Sequence, residues 1–541
     1  MNEDDMNIIK AILCGILIGC ILATLTLYVS LKTGLVIPFL PLVAIVGFVF
    51  LRISGPYSKV ENNISLAAAT GCIIAIYGVS GAVVSLVIFE EEVFTNQIII
   101  SGIIISILAS LLGIFISYYT RDQWIEKENL AFPGGTAAAI LINSLGETGG
   151  TRFRVLSYGF LIGFFMYTLV EIFGLIPSNP FTLLGSPVFI GLEISALAFG
   201  LGYIISWRPS LLVFIGSLYS IGVWKITGEA TTSFGSHLFQ PSILSVGAAF
   251  LVTASIVSLI QMRGTGVSMM RSTHLKSLSF LKNSPVIITL VLVCLIAIYL
   301  GVSMLHINPV MGIISGAFAV LAGIFCIKSA GETGILPAAT IGMLMLIVAA
   351  VILKDFAGTV FLAALVTQVG VICGFTVSTF KVGHIIGTSA ARIAHTMALG
   401  AIVGAPLGLG VLFILSSAFG FGTEELPSPG PVVWGATAQA IIEGGSEVVK
   451  ASYALVASCV AVLMSYFSLS AISFGIGAII PPSISGTIFI GGLCAFILQK
   501  RSSPEQYTER HQNMVIFSSG LITGEGMAII TFTLLQVIGV L

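Results

Sequence analysis

Long apolar runs alternate with short polar connections along almost the whole chain. Each run has about 20 residues, the length that a helix needs to cross a hydrocarbon core of roughly 30 Å. The predicted fold is therefore an all-α polytopic membrane protein with about 14–16 transmembrane helices. The predicted spans are 8–31, 36–52, 62–89, 96–119, 154–177, 187–206, 209–226, 241–262, 284–303, 309–327, 335–353, 357–379, 395–420, 449–468, 470–498 and 513–540. The stretch 470–498 contains Pro481 and Pro482 and is either one span or a broken pair.

Three further apolar stretches, 130–146, 382–394 and 430–445, are interrupted by glycine and proline. They predict short helices that dip into the membrane or lie at its surface. Irregular backbone is tolerated at membrane depth only where it is buried in protein or lines a wet cavity. The three stretches therefore indicate a transport pathway.

Composition narrows the class of protein. Of the 541 residues, 57% are hydrophobic and 8% are charged, whereas a soluble domain carries about 25% charged residues. This balance excludes an ordinary cytosolic enzyme, a nucleic-acid binder and a disordered protein. No long polar segment could form a soluble domain, so 1–541 is predicted to be a single transmembrane domain.

The charged loops predict an orientation. The loop 263–282 contains Arg263, Arg271, Lys276 and Lys282 and no acidic residue, which is typical of a cytoplasmic loop. The acidic loops Glu90–Glu92 and Glu424–Glu425 then lie outside. Met1–Asp5 lacks the basic segment of a signal peptide, so the first span is expected to be retained. We expect a multi-pass protein of the cell membrane with a cytoplasmic N-terminus.

Two short motif pairs hint at internal repetition. Gly146–Gly149 and Gly331–Gly334 share one sequence, and Leu31–Gly34 resembles Phe380–Gly383. Secondary transporters are often built from repeated halves with a site at their interface. Repeat halves of about 1–280 and 281–541 are the corresponding prediction.

The usual signatures of a membrane enzyme are missing from the sequence. It has no HExxH zinc motif, no GxxxxGK[ST] phosphate loop and no CxxC pair. Its four aspartates, Asp4, Asp5, Asp122 and Asp355, lie at or near span ends. We therefore expect no enzymatic activity, no cofactor, no resident metal and no nucleic-acid partner. A membrane-embedded enzyme or a non-transporting scaffold is the alternative.

Ionisable residues within apolar runs are the main candidates for function, because charge is costly inside a bilayer. Glu525 lies in the last span among Gly520, Gly524 and Gly526, which would let a ligand or another helix approach closely. Its alternative role is a hydrogen bond that holds helices together. For Glu171 and Glu193, structural pairing is the favoured interpretation.

The remaining candidates are polar residues at span ends, and each has two interpretations. Lys32 and Lys381 would either reach the membrane surface or bind a substrate carboxylate. Glu61 would either begin a helix, where a carboxylate is favoured, or contact the substrate. Glu147 and Glu332 follow glycines and would either pair with a nearby base or act in ion coupling. His384 would be either a structural hydrogen-bonding group or a proton carrier, since histidine is the residue type whose ordinary pKa is nearest to neutral pH. Together with Glu525, the candidates for substrate binding or ion coupling are Glu332, Glu147, Lys32, Lys381, His384, Glu61, Asn143 and Tyr28.

Several motifs, in order along the chain, resemble those of the oligopeptide transporter superfamily. Ser30–Gly34 resembles its LGLKTG segment, Glu61–Asn63 its ENN segment and Gly331–Thr333 its GET motif. Further matches are Glu128–Ala137, Phe199–Tyr203, Lys381–Gly387, Gly477–Pro482 and Ser519–Glu525. The chain departs from the pattern at Phe380, where an aspartate is common, and at Ala478–Ile479, where Leu-Tyr is usual. The short loops are most similar to prokaryotic members akin to the yellow stripe-like branch.

The resemblance implies a secondary active transporter with about sixteen spans and repeated halves. Such transporters take up small peptides or metal ions already chelated by amino-acid-derived ligands, coupled to protons. The expected mechanism is alternating access, with Glu525 or Glu332 accepting the coupling proton. The half-helix beginning near Pro133 and either Lys32 or Lys381 would then bind a substrate carboxylate. The choice between peptide and chelate stays open, as does the oligomeric state, with a homodimer among the options.

Overall fold

The computed structural model describes residues 3–34, 39–90, 95–180, 190–227, 233–261, 309–334, 336–444 and 449–537. All regular secondary structure in these ranges is helical. The predicted span 284–303 and the basic loop 263–282 lie outside the described residues.

The described ranges before residue 262 form ten α-helices, and two short π-helical turns, Gln123–Lys127 and Thr168–Ile172, extend α5 and α6. The ten helices are α1 (Glu3–Thr33), α2 (Phe39–Ile53), α3 (Lys59–Ile74), α4 (Tyr77–Phe89), α5 (Asn96–Asp122), α6 (Pro133–Tyr167), α7 (Ala196–Ile205), α8 (Trp207–Thr227), α9 (Phe234–Leu238) and α10 (Pro241–Gln261).

The second part forms nine described α-helices after residue 308. They are α11 (Pro309–Thr333), α12 (Ala338–Leu353), α13 (Phe356–Ile386), α14 (Ala390–Phe419), α15 (Pro429–Ile442), α16 (Ala451–Tyr466), α17 (Ala471–Ile479), α18 (Pro482–Arg501) and α19 (Pro504–Val537).

The length and apolar character of these helices confirm a polytopic membrane protein. Within the described ranges, nine helical stretches are long and apolar enough to cross a membrane, and five shorter apolar helices accompany them. The stretch Lys59–Phe89 counts as one such span although α3 and α4 are separate helices.

The structure corrects several predicted boundaries. The stretch 130–146 is not a separate short helix, because α6 continues from Pro133 to Tyr167. The stretch 382–394 holds the end of α13, a turn at Gly387 with φ +92°, and the start of α14. The stretch 430–445 does form a short helix, α15. The stretch 470–498 is a broken pair of helices, the second of its two predicted forms, since Pro481 and Pro482 interrupt it.

Helix α13 lies at the centre of the molecule, and 94% of its most apolar 18-residue stretch is buried. It packs against α3, α4, α5, α11 and α12. Near its middle, the side chain of Gln368 accepts the N–H of Gly78 at 2.7 Å and donates to the carbonyls of Ile74 and Ala75 at 2.7 and 2.8 Å. Gln368 thus satisfies the backbone groups that the break between α3 and α4 leaves free.

The beginnings of α6 and α15 dock in the same way on the ends of two other helices. Phe132, with φ 44°, donates its N–H to the carbonyl of Gly331 in α11 at 2.9 Å. Ser428, with φ 51°, donates its N–H to the carbonyl of Leu31 in α1 at 2.7 Å. A proline follows each of these residues at the first helical position, where an N–H is not needed.

The two receiving helices also end alike. Gly34 and Gly334 follow them with φ +71° and +76°, a conformation that favours glycine. A Cβ on Gly34 would stand 2.7 Å from Cγ of Pro429, and one on Gly334 would stand 3.5 Å from Cβ of Pro133. Leu31–Gly34 and Gly331–Gly334 thus lie at similar helix ends. Their predicted sequence partners, Phe380–Gly383 and Gly146–Gly149, lie inside α13 and α6.

Candidate functional site

A buried ion pair lies where α15 docks on α1. Lys32, in the last turn of α1, places its Nζ 2.9 Å from Oε1 of Glu193, and the two side chains are only 14% and 18% exposed. A pair this far from water needs both partners, because removing one would leave an uncompensated charge. Among the described residues, it has the shortest N–O distance of the ion pairs.

The backbone around Glu193 is fixed by the start of α18. The N–H of Glu193 donates to the carbonyl of Ser483 at 3.1 Å, and Thr487 donates its hydroxyl to the carbonyl of Glu193. Glu193 lies just before α7, so these bonds hold the loop that enters α7 beneath the end of α1. The ion pair and these two hydrogen bonds together connect three parts of the chain that are far apart in sequence.

Glu525 lies next to this pair and is 4% exposed. One carboxylate oxygen accepts the hydroxyl of Ser195 at 2.7 Å, and the other accepts the N–H of Leu197 at 2.9 Å. Ser195 is the N-cap of α7 and also accepts the N–H of Ala198 at 3.0 Å. Glu525 thus occupies a helix N-terminus, where negative charge is favoured.

Glycines next to Glu525 allow its helix to pack closely. A Cβ on Gly524 would stand 2.0 Å from the carbonyl oxygen of Phe160, and one on Gly526 would stand 1.8 Å from Cδ1 of Leu25. The carbonyl of Phe160 is backbone and cannot move aside, so Gly524 has no room for a larger residue, whereas a Cβ at Gly526 would require the end of the Leu25 side chain to shift. The glycines therefore set how α19 lies against α6 and α1.

Tyr28 lies one turn before Lys32 and is 3% exposed. Its hydroxyl is near enough to Lys32 for a hydrogen-bonding interaction, and the charges of Glu193 and Glu525 also act on it. The sequence-based candidates Tyr28, Lys32 and Glu525 therefore belong to one group, which we call the Lys32 cluster, with Glu193 as its fourth member.

Further carboxylates surround the Lys32 cluster at greater distance. Glu171, at the end of α6, interacts electrostatically with Glu193 and Lys32. Glu424, in the segment between α14 and α15, interacts with Glu425, Glu193 and Lys32. Partial burial of Glu424, reinforced by the charges of Glu425 and Glu193, raises the pKa of its carboxyl to about 7.

The junction of α6 with α11 carries a weaker charge pair. Lys328 and Glu332 lie one turn apart in α11 with a distance of 3.9 Å between Nζ and Oε1. The side chain of Lys328 is 7% exposed, whereas that of Glu332 is 34% exposed. Glu332 is thus far more accessible than Glu525. Glu147 lies in the middle of α6, and its side chain is outside the described residues.

The other predicted candidates lie near the ends of α3, α6 and α13. A Cβ on Gly383 would stand 3.3 Å from the amide nitrogen of Asn63, so the segments containing Glu61 and Lys381 lie side by side. Lys381 is 9% exposed and has no ion pair in the described ranges. Asn143 is half-buried and follows Ile142, whose carbonyl accepts the hydroxyl of Tyr57 at 3.3 Å.

His384 is separate from both junctions. It is exposed and lines a cavity of about 170 Å³ together with Arg121, Asp122 and Thr388. The described parts of the chain hold no group of three His, Cys, Asp or Glu side chains arranged to bind a metal ion.

Two residues of the site were undervalued in the sequence. Glu193 had been interpreted as a pairing residue, and it does pair, but its partner Lys32 is 161 positions away. Glu424 had served only to mark an external loop. The signal at Glu193 was a carboxylate two residues before an N-cap serine within an apolar stretch.

Comparison with known proteins decides the family. The model of the OPT oligopeptide transporter protein family matches residues 8–237 and 281–536. The chain belongs to the oligopeptide transporter family. It is also similar to a protein of Haemophilus influenzae whose name describes it provisionally as an oligopeptide transporter. That similarity is 21% identity over 581 residues, spanning 93% of this chain and 91% of the relative.

Family membership and apolar helices together make this chain a multi-pass membrane transporter. The charged residues of the Lys32 cluster therefore lie inside a protein that moves solutes across a membrane. Charged groups inside such proteins commonly mark substrate or ion pathways.

Proposed function

We propose that this transporter takes up small oligopeptides across the cell membrane by proton-coupled alternating access. The observation that carries the proposal is the Lys32 cluster. Lys32 and Glu193 are 14% and 18% exposed and Glu525 is buried, beside Ser428, which begins α15 with φ 51°. Buried ionisable groups next to an interrupted helix are the usual form of a coupling site in secondary transporters.

In this proposal, Glu525 accepts the coupling proton. The carboxylate is nearly inaccessible, lies within electrostatic range of Lys32, and is held by two donors that favour its ionised form. Protonation would weaken its attraction to Lys32 and its acceptance of the Leu197 N–H. A change in the proton on Glu525 would therefore alter the contact between α19, α7 and α1.

The repeat halves, about 1–280 and 281–541, are part of the same proposal. Two observations support them. The Leu31–Ser428 and Gly331–Phe132 junctions are alike, and the helices around them pack in corresponding ways. Helix α1 packs on α3 as α11 packs on α13, and α2 packs on α6 as α12 packs on α15. Asn63 lies near Gly383 whereas Gly78 lies near Ala364, so α3 and α4 run antiparallel to α13. Antiparallel counterparts are what an inverted repeat requires.

An inverted repeat would place the two junctions on opposite sides of the membrane. We propose that the Leu31–Ser428 junction faces outward and the Gly331–Phe132 junction faces the cytoplasm, with the N-terminus cytoplasmic. Opening one junction while the other stays closed would then give alternating access.

Purified protein in proteoliposomes tests the proposed function. Accumulation of labelled di- to hexapeptides under an inward proton gradient, and its loss when the gradient is collapsed, is the expected result. A parallel arm with an iron–chelator complex tests the other substrate class. Accumulation of the chelate without peptide would overturn the peptide assignment, and accumulation of neither would overturn the proposal.

A further inference from the structure

The charges around Lys32 are strongly unbalanced. Glu193 and Glu525 act directly on Lys32, and the fields of Glu171 and Glu424 also reach it. Lys32 is the only cation that these described interactions include. When all of these groups are ionised, four carboxylates surround one ammonium, and the site carries a surplus of negative charge.

The ammonium of Lys32 is already engaged by other residues of the protein. Its Nζ is 2.9 Å from Glu193, and it also interacts with Tyr28 and Glu525. A substrate carboxylate arriving there would have to displace Glu193 and would meet the remaining acidic groups. Like charges in a poorly screened site repel strongly, so the electrostatics disfavour an anionic group.

Two outer carboxylates are available for a ligand. Glu424 is half-buried and Glu171 is exposed, and neither has a hydrogen bond or ion pair to another described residue. Together with Glu193 and Glu525 they give four carboxylates, of which Glu171 is the exposed one and Glu525 the buried one.

An independent feature beside Glu193 also indicates a missing polar partner. Ser483, whose carbonyl accepts the Glu193 N–H, is fully buried, and its hydroxyl has no hydrogen-bond partner among the residues that the structure describes. Buried polar groups are nearly always paired, and an exception needs an explanation. A polar ligand group held at Glu193 would provide that partner.

We propose that Glu193, in the Lys32 cluster, and Glu424, outside it, together bind the positively charged amino group of the substrate. This inference rests on the proposed function, since it specifies which end of a peptide the site recognises. Lys32 then has the role of holding Glu193 in place. The substrate class is a ligand with a free ammonium group, such as a peptide with an unblocked N-terminus.

Blocked peptides test the inference directly. Uptake of labelled trialanine into proteoliposomes is competed with unlabelled trialanine, its N-acetyl form or its C-terminal amide. The amide is expected to compete within about threefold of trialanine. The apparent affinity of the N-acetyl form should be about 10- to 100-fold lower than that of trialanine. This range corresponds to the loss of one hydrogen bond to a charged group, roughly 1.5–3 kcal/mol.

The substitution Glu424→Gln tests whether this carboxylate recognises the amino group of the peptide. It should reduce the discrimination against the N-acetyl peptide several-fold, whereas Glu443→Gln, at an exposed glutamate directly after α15, should leave it unchanged. Strong competition by the N-acetyl form and weak competition by the amide would overturn the inference while leaving peptide transport intact. Absence of trialanine uptake would overturn the proposed function, and the inference with it.

Discussion

The ammonium of Lys32 lies 2.9 Å from the carboxylate of Glu193, and the two residues are 161 positions apart. The pair joins the end of α1 to the segment before α7, beside the point where Ser428 begins α15. A charge pair at this point links the helices that border the Leu31–Ser428 junction. Its strength therefore affects both the stability of the fold and the freedom of the junction to open.

Breaking this pair from one side should destabilise the protein more than removing both charges. Lys32→Met or Glu193→Gln alone leaves a buried charge without its partner, at a cost on the order of 3 kcal/mol. The double variant should recover most of that loss. The unfolding temperatures of the three variants are measured in detergent, with Lys225→Met, at an exposed lysine, as the control. Additive losses in the double variant would show that the two residues do not interact.

The glycines next to Glu525 give a second stability prediction. Gly524→Ala would place a Cβ 2.0 Å from the carbonyl oxygen of Phe160, which is backbone and cannot move aside. We expect a lower unfolding temperature and reduced transport. Gly410→Ala is the matched control, because nothing lies within 4 Å of its added Cβ. Equal behaviour of the two alanine variants would contradict the close packing of α19 on α6.

Peptide binding should depend on pH through Glu424. Burial and the neighbouring carboxylates of Glu425 and Glu193 raise the pKa of Glu424 to about 7, against the opposing charge of Lys32. Glu424 is therefore mostly neutral at pH 5.5 and half ionised at pH 7. A peptide amino group, with a pKa of about 7.7–8.0, stays largely protonated over this range.

Affinity measured without a gradient should consequently rise several-fold from pH 5.5 to pH 7. Calorimetric titration of trialanine into the purified transporter measures this directly. In Glu424→Gln the rise should be much smaller. A pH dependence that is identical in this variant would assign the effect to Glu193, Glu425 or Lys32 instead of Glu424.

The fold class could be predicted from the sequence because apolar runs of membrane-spanning length depend on local composition. Helix boundaries were less accurate where glycine and proline occur. Gly134 and Gly135 suggested an interrupted segment, but α6 continues through them, and Gly135 instead lets its helix approach the carbonyl of Ser378. Tertiary packing, which a local pattern does not contain, decides between a break and a close contact.

The site could be predicted only in part. Tyr28, Lys32 and Glu525 were identifiable because each is polar within or at the end of an apolar run. Their grouping was not, because it depends on how α1, α7 and α19 pack together. Lys381 and His384 looked equally promising by the same criterion, yet they lie apart from the Lys32 cluster.

The most direct test of the whole account is gradient-driven uptake by the variant Glu525→Gln. Trialanine accumulation is measured in proteoliposomes with and without an inward proton gradient, for the original protein, Glu525→Gln and the exposed control Glu443→Gln. The account predicts that Glu525→Gln folds and equilibrates peptide but no longer accumulates it, whereas the control accumulates it normally. Full gradient-driven accumulation by Glu525→Gln would contradict the assignment of proton coupling to the Lys32 cluster.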